Sequence, residues 1–149
     1  VILNRDQASA LLHKRVCREY ADIDVCRMRE AATHLTGEHD FTSFRAVTCQ
    51  AKSPVRTVYQ LDVTRQGQFV YLDISANAFL HHMVRCIAGV LLSIRRGDRH
   101  PAWAREILEA RDRTQGGVTA PAGGLYLVAV RYPSRSGIPE RGWLPAFGS

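Results

Sequence analysis

The chain has 149 residues, of which 46% are hydrophobic and 23% charged, as in an ordinary globular domain. Its formal net charge of +6 favours a polyanionic partner, and nucleic acid is the commonest one. Length and composition predict one folded domain and exclude an intrinsically disordered chain. Charge alone leaves the partner open, because many basic domains bind no nucleic acid.

The cysteines have neither metal-site nor disulfide-scaffold spacing. There are four, Cys17, Cys26, Cys49 and Cys86, with no C-x-x-C pair among them. We expect four reduced thiols in a cytoplasmic protein, and no metal site. No apolar run reaches the roughly 18 residues of a membrane span, so we expect no membrane association.

The first predicted elements are a strand tail, a helix and a hairpin. Residues 1–4 resemble the end of a strand and lack an initiator Met, so we expect a fragment or excised domain. Asp24 can cap a helix over 24–35, which Gly37 would end. A polar and basic loop over 38–54 follows. Strands at 55–64 and 69–75 are joined by a turn with a glycine where positive φ is needed.

The second half of the chain is predicted to hold two helices and a last strand. Asn77 can cap a long helix over 78–95, ended by Gly97, and Pro101 opens a shorter one through Leu108. A flexible stretch at 115–123 leads into an apolar strand at 125–132. This order predicts an α+β fold of the ferredoxin-like or RNA-recognition kind, an antiparallel sheet with helices on one face. Other α+β topologies fit the same order nearly as well.

The helix predicted at 78–95 has an apolar stripe and, opposite it, one charge, Arg85. The stripe comprises Leu80, Met83, Ile87, Val90, Leu91 and Ile94. Ala88 and Gly89 lie one turn after Arg85, so another segment can approach closely there.

Arg85 needs a partner if the helix is buried, because an arginine cannot lose its proton and an unpaired buried charge is costly. Nothing acidic lies one or two turns away on the same helix. The residues alone leave three possibilities: a structural ion pair with Asp73 or Asp40, exposure to solvent, or an anion from outside the chain. His81 and His82 are adjacent and should point in different directions. We interpret them as core or RNA-contacting residues rather than zinc ligands.

The loop at 38–54 mixes basic and aromatic side chains. Arg45, Lys52 and nearby Arg56 surround Phe41 and Phe44. Such a mixture can hold phosphates and stack bases. The alternative is a solvated loop anchored by its aromatic residues. We predict core anchoring for the two phenylalanines and phosphate contact for the basic residues.

Four ordered blocks carry a resemblance to a known family. They are GEHDFTSFRA at 37–46, CQAKSPVR at 49–56, ANAFLHHMVR at 76–85, and ARDRT at 110–114 followed by AP at 120–121 and GLYL at 124–127. In this order and spacing, residues 24–133 resemble the C-terminal half of the TruA family of tRNA pseudouridine synthases.

The resemblance implies an enzyme that isomerises uridine to pseudouridine in the anticodon stem-loop of tRNA. Members of the family use no cofactor or metal and work as homodimers that contact tRNA with both subunits. Each subunit pairs two similar α+β halves around a cleft. The catalytic aspartate lies in the N-terminal half, in an Arg-Thr-Asp motif that is absent here. We therefore expect this chain to be inactive alone.

The resemblance also assigns domains and site residues. Residues 1–133 correspond to the C-terminal domain, with 1–23 as linker and strand tail from the missing N-terminal half, and 134–149 form an irregular tail. Arg85 matches the arginine that pairs with the catalytic aspartate, and Leu125 matches an apolar wall of the uracil pocket. The other implied substrate-binding residues are Ser43, Arg45, Lys52, Arg56, His81 and His82.

Two other functions fit the same residues. A non-catalytic RNA-binding module could reuse the fold, and a full gene without an upstream Arg-Thr-Asp block would favour it. A protein-interaction domain with incidental basic charge is the third reading. Absent or salt-insensitive tRNA binding would favour that one.

Overall fold

The computed structural model describes residues 1–95, 97–138, 145 and 147. Within these ranges the fold is a five-stranded sheet with three α-helices packed on it, which confirms the predicted α+β class. The helices are α1 (Val25–Thr33), α2 (Met83–Ile94) and α3 (Trp103–Ala110). The strands are β1 (Ile2–Asn4), β2 (Cys17–Glu19), β3 (Gly37–Asp40), β4 (Val55–Gln66) and β5 (Phe69–Ala76).

The strand order is β2-β1-β5-β4-β3. Every neighbouring pair is antiparallel, as predicted, except β1 and β2, which run parallel. Parallel strands need a connection of about a dozen residues or more, and the segment 5–16 provides one. The sheet is therefore mixed rather than purely antiparallel.

The segment 1–23, expected to be a linker with a strand tail, contributes two strands to the sheet. The expected leading strand is present as β1, and β2 was not predicted. The Asn4 side chain donates to the carbonyls of Glu19 (3.1 Å) and Ala21 (2.7 Å). Glu19 in turn pairs with Arg95 at 3.2 Å, so the segment is bound to the end of α2.

The first predicted helix is confirmed as α1. The Asp24 carboxylate accepts hydrogen bonds from the backbone N–H groups of Cys26 and Arg27, as an N-cap should. The prediction for Gly37 was wrong, since the helix ends at Thr33 and Gly37 begins β3. The predicted loop 38–54 therefore begins with a strand. Its sequence, GEHD, is too polar to give a strand pattern, and only pairing with β4 defines it.

The predicted hairpin is confirmed as β4 and β5, with Gly67 at φ 56° in the turn. Val58 and Leu61 are both buried, although strict alternation would place them on opposite faces. A register shift between Val58 and Gln60 turns both side chains inward.

The start of the long helix was predicted five residues too early. Asn77 does not cap it, because its side-chain oxygen accepts hydrogen bonds from the backbone N–H groups of Thr57 (3.0 Å) and Ala78 (2.9 Å). Asn77 thus extends the sheet edge, and α2 begins only at Met83. The predicted apolar stripe is confirmed, since all six of its members are buried. The shorter helix after Pro101 is confirmed as α3.

The strand predicted at 125–132 was wrong, because no strand is assigned there in the described part of the chain. Leu127 is 75% exposed and Tyr132 50% exposed, so the segment lacks the partner that a ladder requires. The predicted irregular tail is described in part and contains a 3-10 turn at Ser134–Ser136. Residues 139–144, 146, 148 and 149 lie outside the described residues.

Candidate functional site

Arg85 lies in the first turns of α2 and is half-buried. Its Nε donates to the carbonyl of Ala120 at 2.8 Å, and the backbone N–H of Ala120 donates to the carbonyl of Arg85 at 3.0 Å. None of the ion pairs found among the described residues includes Arg85. Asp40 pairs instead with Arg111 at 3.7 Å, and Asp73 is exposed on β5. The structural ion pairs considered for Arg85 are therefore not formed.

The segment 118–120 approaches the backbone of α2 very closely. A Cβ atom at Gly89 would lie 1.8 Å from the carbonyl oxygen of Val118, so no larger residue fits without a shift. Cys86 is fully buried, and its Sγ lies 3.7 Å from Thr119 Oγ1. The close approach predicted at the small residues after Arg85 is confirmed.

Arg113 belongs to the same site and was missed by the sequence reasoning. Its Nη2 donates to Thr119 Oγ1 at 2.7 Å, next to the Ala120 carbonyl that binds Arg85. The available signal was a basic residue in the ARDRT block, immediately before the flexible stretch. Asp112, in the same block, caps the short turn Arg113–Gln115 with its side chain.

The two histidines face each other, contrary to the prediction that they point apart. Their ring centroids are 4.0 Å apart, because His82 has a left-handed backbone with φ 63°. Partial burial lowers the pKa of His82, and the charges of His81, Arg85 and Arg113 lower it further. Within the described ranges no group of three or more His, Cys, Asp or Glu side chains is placed to hold a metal ion.

The basic loop, residues 41–54 between β3 and β4, lies beside His81 and His82. The backbone N–H of Ala46 donates to the carbonyl of His81 at 2.9 Å. Hydrogen bonds from the backbones of Ala51 and His81 lower the pKa of the nearby Cys49 thiol, and the charges of Arg45 and Arg56 act in the same direction. One group of side chains is called here the basic cluster, because their charges act on the pKa of Cys49 or of His82 or because they surround that site. It consists of Arg45, Arg56, His81, His82, Arg85 and Arg113.

The remaining residues of the basic loop have different environments. Phe41 and Phe44 are fully buried and pack edge to face with centroids 5.8 Å apart, which confirms core anchoring. Lys52 is exposed. Ser43 is also fully buried, and its hydroxyl accepts a hydrogen bond from the backbone N–H of Asp112 at 2.9 Å. Its burial gives no support to RNA contact.

Leu125 follows Ala120 along the same irregular segment and is 50% exposed. The preceding residue is fixed, because the amino group of Val1 donates to the carbonyl of Gly124 at 2.7 Å. This contact places the segment beside the first residues of the sheet. The role of Leu125 in a uracil pocket stays a prediction.

The site residues come from blocks that also define a family. Residues 31–133 match the profile of a tRNA pseudouridine synthase family, and the chain belongs to that family. This confirms the resemblance identified from the four sequence blocks. No helix in the described part of the chain is both long and apolar enough to cross a membrane.

Similar proteins named tRNA pseudouridine synthase A occur in several bacteria. The one from Nitrosococcus oceani is 56% identical over 140 residues, which cover 94% of this chain and 54% of that protein. The one from Pseudomonas aeruginosa is 54% identical over 98% of this chain and 51% of its own length. The one from Coxiella burnetii is 45% identical over 99% of this chain and 56% of its own length. The chain thus spans about half the length of the curated relatives it matches.

Proposed function

We propose that this chain is the C-terminal half of a tRNA pseudouridine synthase that isomerises uridine to pseudouridine in the anticodon stem-loop of tRNA. The reaction replaces the N-glycosidic bond of uridine with a C-glycosidic bond, so no atoms are gained or lost. The family membership and the matching relatives carry this proposal. The complete enzyme includes an N-terminal half that supplies the catalytic aspartate, works as a cytoplasmic homodimer and uses no cofactor.

The geometry of Arg85 supports its role as partner of that aspartate. The Ala120 carbonyl binds Nε, and no described residue bonds the two terminal guanidinium nitrogens. Those nitrogens can bind a carboxylate in a bidentate pair, which would keep it ionised and aimed at the target nucleoside. Leu125 would exclude water from the glycosidic chemistry, and the target uridine must leave its stack to reach the pocket.

The surface of the chain supports both proposed partners. Arg45, Arg56 and the exposed Lys52 can contact RNA phosphates, with His81 and His82 beside them. Exposed apolar side chains at 125–132, including Leu127 and Tyr132, fit a surface that the N-terminal half covers. The chain alone lacks the Arg-Thr-Asp motif, so we expect it to be inactive.

The test is tritium release from tRNA labelled at C5 of its uracil, by the complete enzyme. Arg85→Ala should reduce turnover by about 100-fold or more, as loss of a preorganised donor does. Arg85→Lys should recover part of it, because charge remains but the fork geometry is lost. Arg105→Ala, which removes an exposed arginine paired with Glu109, is the matched control.

Three results would contradict the proposal. Wild-type turnover in Arg85→Ala would refute the role of Arg85. Tritium release by the isolated chain would refute the half-enzyme assignment. Tight, salt-sensitive tRNA binding by a complete protein that releases no tritium would instead favour a non-catalytic RNA-binding module.

A further inference from the structure

The orientation of Arg85 depends on the segment 118–120. Two hydrogen bonds join Arg85 to Ala120: Arg85 Nε donates to the Ala120 carbonyl, and the Ala120 backbone N–H donates to the Arg85 carbonyl. Ala120 belongs to no strand or helix, so no ladder of backbone bonds fixes its position. Whatever holds this segment against α2 therefore also holds the Arg85 guanidinium.

Thr119 attaches this segment through its side chain. Its hydroxyl accepts a hydrogen bond from Arg113 Nη2 at 2.7 Å and lies 3.7 Å from the buried Cys86 thiol. A thiol is a weak hydrogen-bonding group, whereas a bond from a guanidinium is charge-assisted. Of the two contacts, the one from Arg113 is the stronger.

The turn that carries Arg113 is bonded to the core. It begins the 3-10 turn capped by Asp112, whose carboxylate accepts from the backbone N–H (2.9 Å) and the hydroxyl (2.8 Å) of Thr114. The backbone N–H of Asp112 donates to the Ser43 hydroxyl, which is fully buried. A Cβ at Gly116 would lie 2.6 Å from the Ser43 carbonyl oxygen, so the end of the turn packs tightly on the core.

We propose that Arg113 is a positioning residue, which fixes the Arg85 guanidinium through Thr119 and Ala120. The connection runs from the buried Ser43 through Asp112 and Arg113 to the segment that binds Arg85. This inference rests on the proposed function, because it assigns a task to Arg85. It also explains why a serine hydroxyl is buried in the core.

The test compares Arg113→Ala, Arg113→Lys and Thr119→Val in the complete enzyme. A misplacement of about 1 Å can cost up to about 100-fold in rate, so Arg113→Ala should lower kcat by about 10- to 100-fold with KM nearly unchanged. Thr119→Val should have a similar effect, and the double variant should lose little more, because both changes break one connection. Arg113→Lys should recover part of kcat, since a lysine can also donate to Thr119.

A direct contact between Arg113 and RNA phosphate predicts a different pattern. Arg113→Ala would then raise KM and weaken the salt dependence of binding, while Thr119→Val would be silent. That pattern overturns the positioning role. Thermal unfolding of each variant, with Arg105→Ala alongside, separates these effects from loss of the fold.

A second measurement does not depend on activity. The Arg85 Nε–H proton, followed by NMR, should exchange slowly with solvent in the wild type and in Arg113→Lys. It should exchange faster in Arg113→Ala and Thr119→Val. Unchanged exchange refutes the positioning role even if the enzyme is active. If the complete wild-type protein has no pseudouridine synthase activity, the proposed function is refuted. Faster exchange in Arg113→Ala and Thr119→Val would still establish the connection from Arg113 to Arg85.

Discussion

Cys49 lies where the basic loop meets the histidine pair. Backbone hydrogen bonds from Ala51 and His81, and the charges of Arg45 and Arg56, lower the pKa of its thiol. Since the thiolate is the reactive form, a lowered pKa means that alkylation becomes fast at a lower pH than for an ordinary thiol. Cys49 can therefore report on whether RNA covers this surface.

Alkylation of the complete enzyme with iodoacetamide should modify Cys49 and the exposed Cys26, and spare the buried Cys17 and Cys86. The Cys49 rate should reach half its maximum at a lower pH than the rate of an unperturbed thiol does. Added tRNA should slow Cys49 alone, with Cys26 as the internal control. Equal Cys49 labelling with and without tRNA would place the basic loop outside the RNA interface. Peptide mass spectrometry gives the four rates.

At the scale of elements, the packing of the segment 118–120 on α2 requires the glycine at position 89. Gly89→Ala would put a methyl group 1.8 Å from the Val118 carbonyl, so the segment must move away and take the Ala120 carbonyl with it. We expect destabilisation of roughly 1–3 kcal/mol, as for overpacked cores. We also expect a loss of kcat at least as large as in Arg113→Ala.

The control for Gly89→Ala is a variant that destabilises the fold elsewhere. Asp24→Ala removes the N-cap of α1 and should cost about 1 kcal/mol, with kcat retained. Chemical denaturation measures the free energy of unfolding of each variant, and tritium release measures its kcat. Equal kcat in both variants would show that the close contact at Gly89 serves stability alone.

Local signals predicted most elements of this fold correctly. The Asp24 cap, the hairpin of β4 and β5 and the apolar stripe of α2 involve neighbours in sequence, and each was confirmed. β2 and β3 have only three and four residues. Their pairing partners, β1 and β4, are separated from them in sequence by the segments 5–16 and 41–54. Such strands leave no pattern in a single sequence.

The start of α2 is also set by a contact between residues that are distant in sequence. Asn77 has the usual properties of a helix cap, but its side chain bonds to Thr57 on β4 instead. The left-handed His82 then sets the first helical residue at Met83. For the site, the ordered blocks found Arg85, whereas Arg113 was missed because its bond to Thr119 crosses a stretch without regular structure.

At the scale of the whole molecule, the chain has a net charge of +6, and the basic cluster lies where function is proposed. The basic cluster combines residues from the loop before β4, from the start of β4, from the region where α2 begins and from the turn after α3. No ion pair found among the described residues includes a member of the basic cluster, whereas Arg105 pairs with Glu109 at 2.6 Å. A paired arginine adds little to the attraction of a polyanion, because its partner repels it.

This difference predicts how tRNA binding by the complete enzyme responds to salt. Each phosphate contact contributes about 0.7 to 0.9 to the slope of log affinity against log salt concentration. Arg45→Gln and Lys52→Gln should therefore each weaken binding and reduce that slope by about one. Arg105→Gln should leave both quantities unchanged. Filter binding over a series of potassium chloride concentrations measures the slopes, and unchanged slopes for Arg45→Gln and Lys52→Gln would remove the basic loop from the RNA-binding surface.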